Sequence, residues 1–333
     1  MTAPIHADDE ALDESWTMVS EAVSRLFEDI AGRHAHVPIE PELQPLGWDE
    51  IEAEYPIAAT ALLFDAQGRS LATTNCLTRV MIAELAALFD GAVDGLVLPE
   101  PANGSAPASG GNRITGMVLG PPAGRLIVPV SGELGTVSIG VVDADLLHAE
   151  RIDTFDPSVH WTRVEGPLDI TLTKATDEWR RAVAAAQRAL STELLSLATR
   201  ALDIATEQVG ARRQFGVSIG SLQSPRHALA EAAAQIAGAR ALLDQSWRFG
   251  GRLSALAAKT AAGRAHRTVV DVALQVCGAI GLTAEHRLHR YVSRGFQLDA
   301  LCGDHDRLET ELAGYLFDVD AGDRALPNLI SWT

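Results

Sequence analysis

Residues 212–223 of the chain read RRQFGVSIGSLQ, and residues 275–286 read QVCGAIGLTAEH. Both segments combine glycine with arginine or glutamine, and these residue types allow close backbone approach and supply hydrogen-bond donors to a ligand. The sequence between them has the 3.6-residue period of helices. It predicts one helix from Pro225 to about Phe249 and another from Leu253 to about Ile280.

The helical pattern begins upstream of both segments. Thr176 is a suitable N-cap, and Asp177 and Glu178 suit the positive end of a helix dipole, which predicts a long helix from there to about Gly210. Shorter helices are predicted at about 285–295 and 307–317. Long Ala- and Leu-rich helices with apolar residues on more than one side are typical of a tightly packed up-down bundle, one that can also bury surface against another subunit.

The rest of the chain predicts an α+β protein that is mainly α. Helices are expected at Trp16–Arg33, Trp48–Tyr55, Pro56–Asp65 (ending near Gly68) and Thr74–Phe89, and a Gly- and Pro-rich loop at Pro101–Asn112. Strands are expected at Leu96–Pro99, Ile114–Leu119, Arg125–Val130, Thr136–Val142, Trp161–Val164 and Asp169–Thr173. The predicted domains are a reduced N-terminal helical domain at 1–95, a small antiparallel β-domain at 96–175 and a C-terminal helical bundle at 176–333.

Charge and composition exclude several classes of protein. The net charge is −17, and residues 1–178 hold 29 acidic against nine basic side chains. This balance disfavours nucleic acid, which binds basic surfaces. No apolar run reaches the roughly 18–20 residues that span a bilayer, so no membrane association is expected. The acidic N-terminus has no basic or apolar leader, which predicts a cytoplasmic protein.

Metal chemistry is not expected either. Cys76, Cys277 and Cys302 are too few and too scattered for a cysteine-rich site, and their default role is as small buried apolar residues. His286 and His289 are three residues apart but lack a suitable third ligand nearby in the sequence. No Ser/His/Asp arrangement or phosphate-binding glycine loop is evident.

Residues 179–317 resemble the C-terminal domain of the flavin-dependent acyl-CoA dehydrogenases. Besides the two opening segments, the sequence has IGSLQ at 219–223 and LHRY at 288–291, in the order and spacing of that family. The combination of Glu285-His286 with the LHRY segment is typical of a bacterial subgroup. The order of helices, small β-domain and helical bundle also matches the family.

The resemblance implies an FAD cofactor. In the family, the arginine segment reaches the FAD of an adjacent subunit, and the glycine-containing turn covers the adenosine end. Carried over by position, the implied cofactor-binding residues are Arg212, Gln214, Phe215, Gln223, Gln275 and Gly278. An arginine fork suits the FAD pyrophosphate, and a missing side chain admits backbone to the ligand.

Several of these residues could instead have simpler structural roles. Arg212 could be a solvated helix end or an ion-pair partner of Glu207, Gln275 could be an ordinary helix residue, and Gly278 and Gly281 could end a helix. The sequence also departs from the family at Gly278-Ala279, where the family usually has two glycines. One added methyl group at a site of close approach is expected to weaken or shift the adenosine contact.

The same resemblance indicates where the catalytic base would lie, and neither position holds a carboxylate. The family uses one glutamate to remove the α-proton of an acyl-CoA while a hydride passes to the flavin. Its two usual positions fall on Cys302 and Ala186 in this chain. Glu193, two turns after Ala186 on the same helix face, and Asp304 are the substitutes to consider, although each suits a structural or surface role. The strand pair that shields the flavin ring in longer relatives was not found.

Three functions are therefore open. The first is a catalytically degenerate subunit of a heterotetramer (two copies of each chain) that completes the FAD site of a second acyl-CoA dehydrogenase subunit. In the family, such pairs are often associated with steroid side-chain β-oxidation, so the resemblance implies a steroid-type CoA ester as substrate and an electron-transferring flavoprotein, the usual acceptor of the family, as partner. The second is a self-sufficient homotetramer with a relocated carboxylate base, and the third is a scaffold without flavin.

Overall fold

The computed structural model describes residues 11–101, 108–109 and 113–317. Within them, five α-helices precede the first strand: α1 Ala11–Gly32, α2 Glu40–Leu43, α3 Trp48–Glu54, α4 Pro56–Ser70 and α5 Cys76–Ala83. The helices predicted at Trp16–Arg33 and Trp48–Tyr55 are confirmed within a few residues. On α1 the predicted apolar stripe is buried at Val23 and Ile30.

Two of the predicted N-terminal helix ends are wrong. Helix α4 continues past Gly68 to Ser70, and Leu71 ends it in the left-handed conformation with φ 62°. The expected helix over Thr74–Phe89 is shorter: α5 ends at Ala83, and a 3₁₀ turn follows at Ala86–Leu88. Gly68 therefore does not end a helix but lies inside one.

The strands form small sheets with mixed pairing. They are β1 Gly95–Leu96, β2 Ala108–Ser109, β3 Arg113–Leu119, β4 Arg125–Ser131, β5 Val137–Asp143, β6 His148–Arg151, β7 Trp161–Pro167 and β8 Thr173–Lys174. One sheet has the order β1-β4-β5-β8 with β2 also on β4, and another has the order β3-β7-β6. Among the strands of the described residues, β1 and β2 are the ones that pair in parallel, each with β4. A bridge between Leu98 and Met117 joins the segment after β1 to β3.

The antiparallel β-region is confirmed, with local differences. Of the strand expected at Leu96–Pro99 only Leu96 lies in β1, and Leu98 forms an isolated bridge. Of the strand expected at Asp169–Thr173 only Thr173 pairs, as part of β8. Strand β6 was not predicted, because all four of its residues are exposed and the alternation that marks a half-buried strand is absent. The loop expected at Pro101–Asn112 lies largely outside the described residues, apart from the β2 pairing.

The C-terminal helices agree with the sequence pattern. They are α6 Thr176–Ala211, α7 Gln223–Phe249, α8 Arg252–Cys277, α9 Leu288–Asp299 and α10 His305–Leu316, with a short hairpin of β9 Arg213–Gln214 and β10 Val217–Ser218 after α6. Thr176 is not the N-cap, because the amide of Trp179 bonds to the carbonyl of Ala175. The Thr176 hydroxyl instead exchanges hydrogen bonds with the backbone of Val137.

The contacts within the chain divide it into two units. Of the described residues, the helical unit holds 11–28, 46–71 and 187–317, and the strand unit holds 29–45, 72–101, 108–109 and 113–186. The strand unit has an apolar core between its sheets that includes Val97, Ile114, Leu126, Val128, Val142 and Val164. The domain boundaries predicted near residues 95 and 175 stay predictions.

Helix α6 is the central element of the helical unit. From Ala189 to Ala198 every residue is buried, including Ser191, Glu193 and Ser196. Such burial on all sides is typical of a helix enclosed by others rather than one with a solvent face. Helices α7 and α10 both pack on α8.

Gly68 permits close packing of α4 on α6. A Cβ atom at position 68 would lie 2.8 Å from the backbone oxygen of Glu193 and 2.9 Å from the Cβ of Ser196. Neither neighbour can swing away as the end of a long side chain could. The absence of a side chain at position 68 is therefore what lets these two helices approach.

The Gly68→Ala substitution is expected to lower the free energy of unfolding by about 1–3 kcal/mol, the usual cost of forcing a group into a filled interior. Gly238→Ala is the matched control, because Gly238 also lies inside a helix but has nothing within 4 Å of its Cβ position. That control is expected to raise stability by about 0.5–1 kcal/mol through helix propensity. Urea unfolding of the full chain measures both; equal effects would contradict the packing argument.

Candidate functional site

A β-hairpin presents the first motif at the end of α6. Gln214 pairs with Val217, and the two turn residues between them both have positive φ, 53° at Phe215 and 80° at Gly216. Positive φ at both central positions is the type I′ turn that suits two-residue hairpins. The ring of Phe215 is 92% exposed. The sequence thus builds a projecting turn with an apolar tip.

The two motifs converge in the structure. The Arg212 guanidinium donates a hydrogen bond of 3.4 Å to the carbonyl of Cys277, the last residue of α8. Gly278 follows with φ 70°, and the nearest atom to a Cβ placed there is Arg212 Nη1 at 3.6 Å. A cation at this point complements the negative end of the α8 dipole. Residues 65 positions apart in the chain therefore form one surface.

Arg212 keeps most of its donors available. The alternative ion pair with Glu207 is wrong, because Glu207 pairs with Arg287 at 2.6 Å. Arg212 is exposed, and among the described residues its side chain makes only the long bond to the Cys277 carbonyl. A guanidinium carries five N–H donors, so the remaining ones can meet an external anion.

The three glutamine candidates lie elsewhere on the two motif segments. Gln214 lies on the hairpin, Gln223 begins α7 and Gln275 lies in the last turn of α8, and all three are exposed. Within the described part of the chain, no hydrogen bond joins any of them to Arg212. The structure thus brings together Arg212 and Gly278, while the three glutamines remain candidates by their places in the motifs.

Exposed apolar side chains occur throughout the same two segments. Phe215, Val217 and Leu222 are exposed in the first, and Ile280 and Leu282 in the second. Single exposed apolar residues are ordinary on a protein surface, whereas several of them beside a set of polar donors are typical of a surface that another molecule covers.

Cys302, at one usual base position, belongs to a tightly held loop. Burial raises the pKa of its thiol to about 11. Its carbonyl accepts a hydrogen bond from Gln187 at 3.1 Å, and its backbone has φ 55°. Lys259 anchors the loop, because its ammonium donates to the carbonyls of Asp299 and Gly303 at 2.8 and 3.2 Å.

The lysine also forms a buried ion pair. Lys259 has 0% exposure, and its ammonium lies 2.9 Å from the Asp299 carboxylate, whose other oxygen bonds to His305 at 2.6 Å. Burial opposes ionisation of Asp299, but the His305 hydrogen bond and the Lys259 charge hold its pKa well below the usual range. Sequence reasoning missed this cluster; the one signal was a lone lysine in the alanine-rich run at 255–262.

The second base position and its nearby substitute are both enclosed. Ala186 is fully buried and offers a methyl group. Glu193 is 1% exposed, and one of its oxygens accepts a hydrogen bond from Gln67 at 2.9 Å. Burial raises the pKa of Glu193 to about 7, against the opposing influence of Arg294 and of the Gln67 bond.

Asp304 has a structural task in the fold. Its carboxylate accepts the backbone N–H of Arg307 at 2.9 Å and so caps the N-terminus of α10. Capping satisfies one of the amides that a helix leaves unpaired at its start.

The histidines of the second motif are also engaged locally. His289 Nδ1 bonds to the carbonyl of His286 at 2.7 Å, and His286 Nδ1 accepts the amide of Leu288 at 3.3 Å. Across the described residues, no three His, Cys, Asp or Glu side chains are grouped closely enough to hold a metal ion. The described helices also include none that is long and apolar enough to cross a membrane.

Comparison with known proteins finds similar sequences along most of the chain. Residues 180–299 match the family described as acyl-CoA dehydrogenase, C-terminal domain. Over 294 residues the chain is 28% identical to the acyl-CoA dehydrogenase IpdE2 of Mycobacterium tuberculosis, covering 86% of this chain and 82% of that protein. It is 27% identical over 260 residues to the acyl-CoA dehydrogenase FadE34 of the same organism, covering 76% of this chain and 34% of that protein.

Solved structures share the fold over nearly the whole chain. A variant of the steroid ACAD Tcur3481-Tcur3483 matches with a TM-score of 0.74 and 23% identity, over 91% of this chain and 97% of that one. The ChsE4-ChsE5 complex from Mycobacterium tuberculosis matches with a TM-score of 0.71 and 18% identity, over 90% and 96%.

The fold, with its long helices after small sheets, is the acyl-CoA dehydrogenase fold. Residues 180–299 are similar to the C-terminal domain of the acyl-CoA dehydrogenases, and most of the chain is similar in sequence to IpdE2.

Proposed function

We propose that this chain is a non-catalytic subunit of an FAD-dependent acyl-CoA dehydrogenase complex and completes the FAD site of a catalytic partner subunit. The observation that carries the proposal is a contrast within one domain. The motif surface around Arg212 keeps exposed donors and a glycine with open space beside it, whereas the two usual positions of the base hold a thiol and a methyl group.

The motif surface fits a dinucleotide. Arg212 would hold the FAD pyrophosphate, since a guanidinium offers several donors to phosphate oxygens. Gly278 leaves space beside the Arg212 guanidinium, and the exposed Gln275 in the last turn of α8 would donate to the adenosine end. Gln214, Phe215 and Gln223 would border the same ligand. When bound, FAD accepts the hydride that leaves the acyl chain.

The usual base positions of this chain offer no group suited to remove the α-proton of the substrate. A thiol whose pKa is about 11 stays protonated at neutral pH and does not accept the α-proton. Ala186 has no proton acceptor, and Asp304 is engaged in capping α10. The partner would therefore supply the carboxylate that removes the proton.

The relatives suggest the assembly and the substrate. One solved match is titled as a complex of two chains, and another is described as a steroid ACAD. By analogy, we expect a heterotetramer with a second acyl-CoA dehydrogenase subunit and a CoA ester with a steroid-type acyl group. An electron-transferring flavoprotein is the expected electron acceptor, and the cytoplasmic location stays a prediction.

Glu193 gives specific support to the alternative of a self-sufficient enzyme. A carboxyl group with a pKa of about 7 is suited to general base catalysis near neutral pH. Its 1% exposure and its place inside the packing of α4 on α6 oppose that role, because a base must reach the substrate proton. The scaffold alternative differs from both in predicting that no flavin is bound.

The proposed contribution of this chain to the FAD site of its partner, here called the half-site, is tested by removing side-chain donors from the motif surface. In the assembled complex, Arg212→Ala is expected to lower FAD affinity about tenfold to a hundredfold, the effect of losing a charge-assisted hydrogen bond. Gln275→Ala is expected to lower it about twofold to tenfold as a neutral bond is lost. Fluorescence titration of the apo-complex with FAD measures both affinities.

Arg248→Ala is the matched control, because Arg248 is an exposed arginine in the last turn of α7, and it should leave FAD affinity unchanged. Wild-type affinity in both motif variants would remove the assignment.

Two conservative substitutions separate the half-site from the relocated base. Glu193→Gln keeps the shape of the buried side chain, and Asp304→Asn keeps a helix-capping group. In the complex, each variant is expected to retain the turnover of the wild type within about twofold. Acyl-CoA oxidation with an artificial electron acceptor measures this. A loss of a thousandfold or more in either variant, with FAD still bound, would identify that residue as the base.

A further inference from the structure

Glu193 lies at a junction of three helices in the helical unit. Its Oε2 atom accepts a hydrogen bond from Gln67 of α4, whereas its Oε1 atom is buried and has no hydrogen-bond partner among the described residues. A buried polar atom left without a partner costs free energy, and a charged one costs more. The site is therefore poorly built for a carboxylate anion.

The same junction holds the last turn of α4. Tyr291 of α9 donates its hydroxyl to the carbonyl of Arg69 at 3.0 Å, and Arg294 of α9 donates to the carbonyl of Leu71 at 3.1 Å. A helix leaves its last carbonyls without partners inside the helix, so α9 completes the end of α4. Gln67 begins this turn, and Gly68 fixes its distance from α6.

The charges around the carboxyl group come from two helices. From α9, Arg294 is the charged group that acts on Glu193 and favours its ionisation. From α4, Gln67 is neutral, and Asp65 is engaged with Arg69 and with Ser196 one turn further along α6. Burial outweighs the influence of Arg294 and of the Gln67 bond, which leaves the carboxyl with a net preference for its neutral form.

We propose that Glu193 is a proton-operated lock on the last turn of α4: protonated, it keeps residues 67–71 packed on α6 and α9, and ionised, it favours local opening of that turn. Opening admits water to Oε1 and so removes the cost of an anion without a partner. The lock is a conformational device that acts within the helical unit, and it does not depend on the proposed FAD role.

The sign of the effect follows from proton linkage. Burial raises the pKa of Glu193 from 4.5 to about 7 in the packed state, and water restores the ordinary value in the opened state. The opened turn therefore binds fewer protons between these values, and the equilibrium constant for opening rises with pH. The expected rise approaches about tenfold per pH unit between the two pKa values and levels off above about pH 8. It amounts to about 300-fold from well below pH 4.5 to the plateau, of which about 75-fold falls between pH 5 and 9.

Hydrogen exchange of the full chain between pH 5 and 9, followed by mass spectrometry, tests the lock. After correction for intrinsic exchange rates, peptides covering 64–71 and 190–197 should show the rise and the plateau. Glu193→Gln has no titrating group at this position and should give a flat profile. Glu231→Gln removes an exposed carboxylate of α7 and should keep the wild-type profile.

A second variant allows the lock to be tested even if Glu193→Gln folds poorly. Gln67→Met removes the hydrogen bond that favours the anion, so the plateau should begin at a higher pH than in the wild type. A flat profile in the wild type, or a rise that persists in Glu193→Gln, would overturn the lock. An equal rise in peptides from α8 would also overturn it, since that result would mean unfolding of the whole unit.

Discussion

The enclosure of helix α6 is the constraint on which the rest of the structure depends. Over Ala189–Ala198 no face of this helix is open, so any polar group there must find its partners inside the protein. Ser191 and Ser196 meet that requirement by bonding to carbonyls four residues earlier, and Glu193 meets it only in part. The side chains of this segment are closed to solvent, whereas the exposed donor Arg212 lies beyond its C-terminal end.

At the C-terminal end of α6 the polar groups are exposed to solvent instead of buried. Arg212 lies against the last carbonyl of α8, and the hairpin that follows exposes Phe215. Residues 179–333 carry 18 basic and 15 acidic side chains, in contrast to the acidic first half of the chain. A nearly neutral region with an exposed arginine is compatible with an anionic cofactor. The proposed role follows from this division between a closed helix interior and an open helix end.

The sequence was most informative where local signals agree with packing. The long helices α6, α7 and α8 were predicted because their apolar periodicity extends over many turns. Contacts between distant segments had no such signal. Gly68 was interpreted as a helix end, because a glycine that admits a neighbouring helix looks the same in sequence. Thr176 likewise bonds across to Val137 instead of capping its own helix.

Native mass spectrometry with flavin absorbance, on this chain alone and on the chain co-expressed with a second acyl-CoA dehydrogenase subunit, tests the central claim most directly. The half-site account predicts a colourless chain alone and a yellow heterotetramer with two FAD molecules for its four chains. A yellow homotetramer with one FAD per chain would contradict the account.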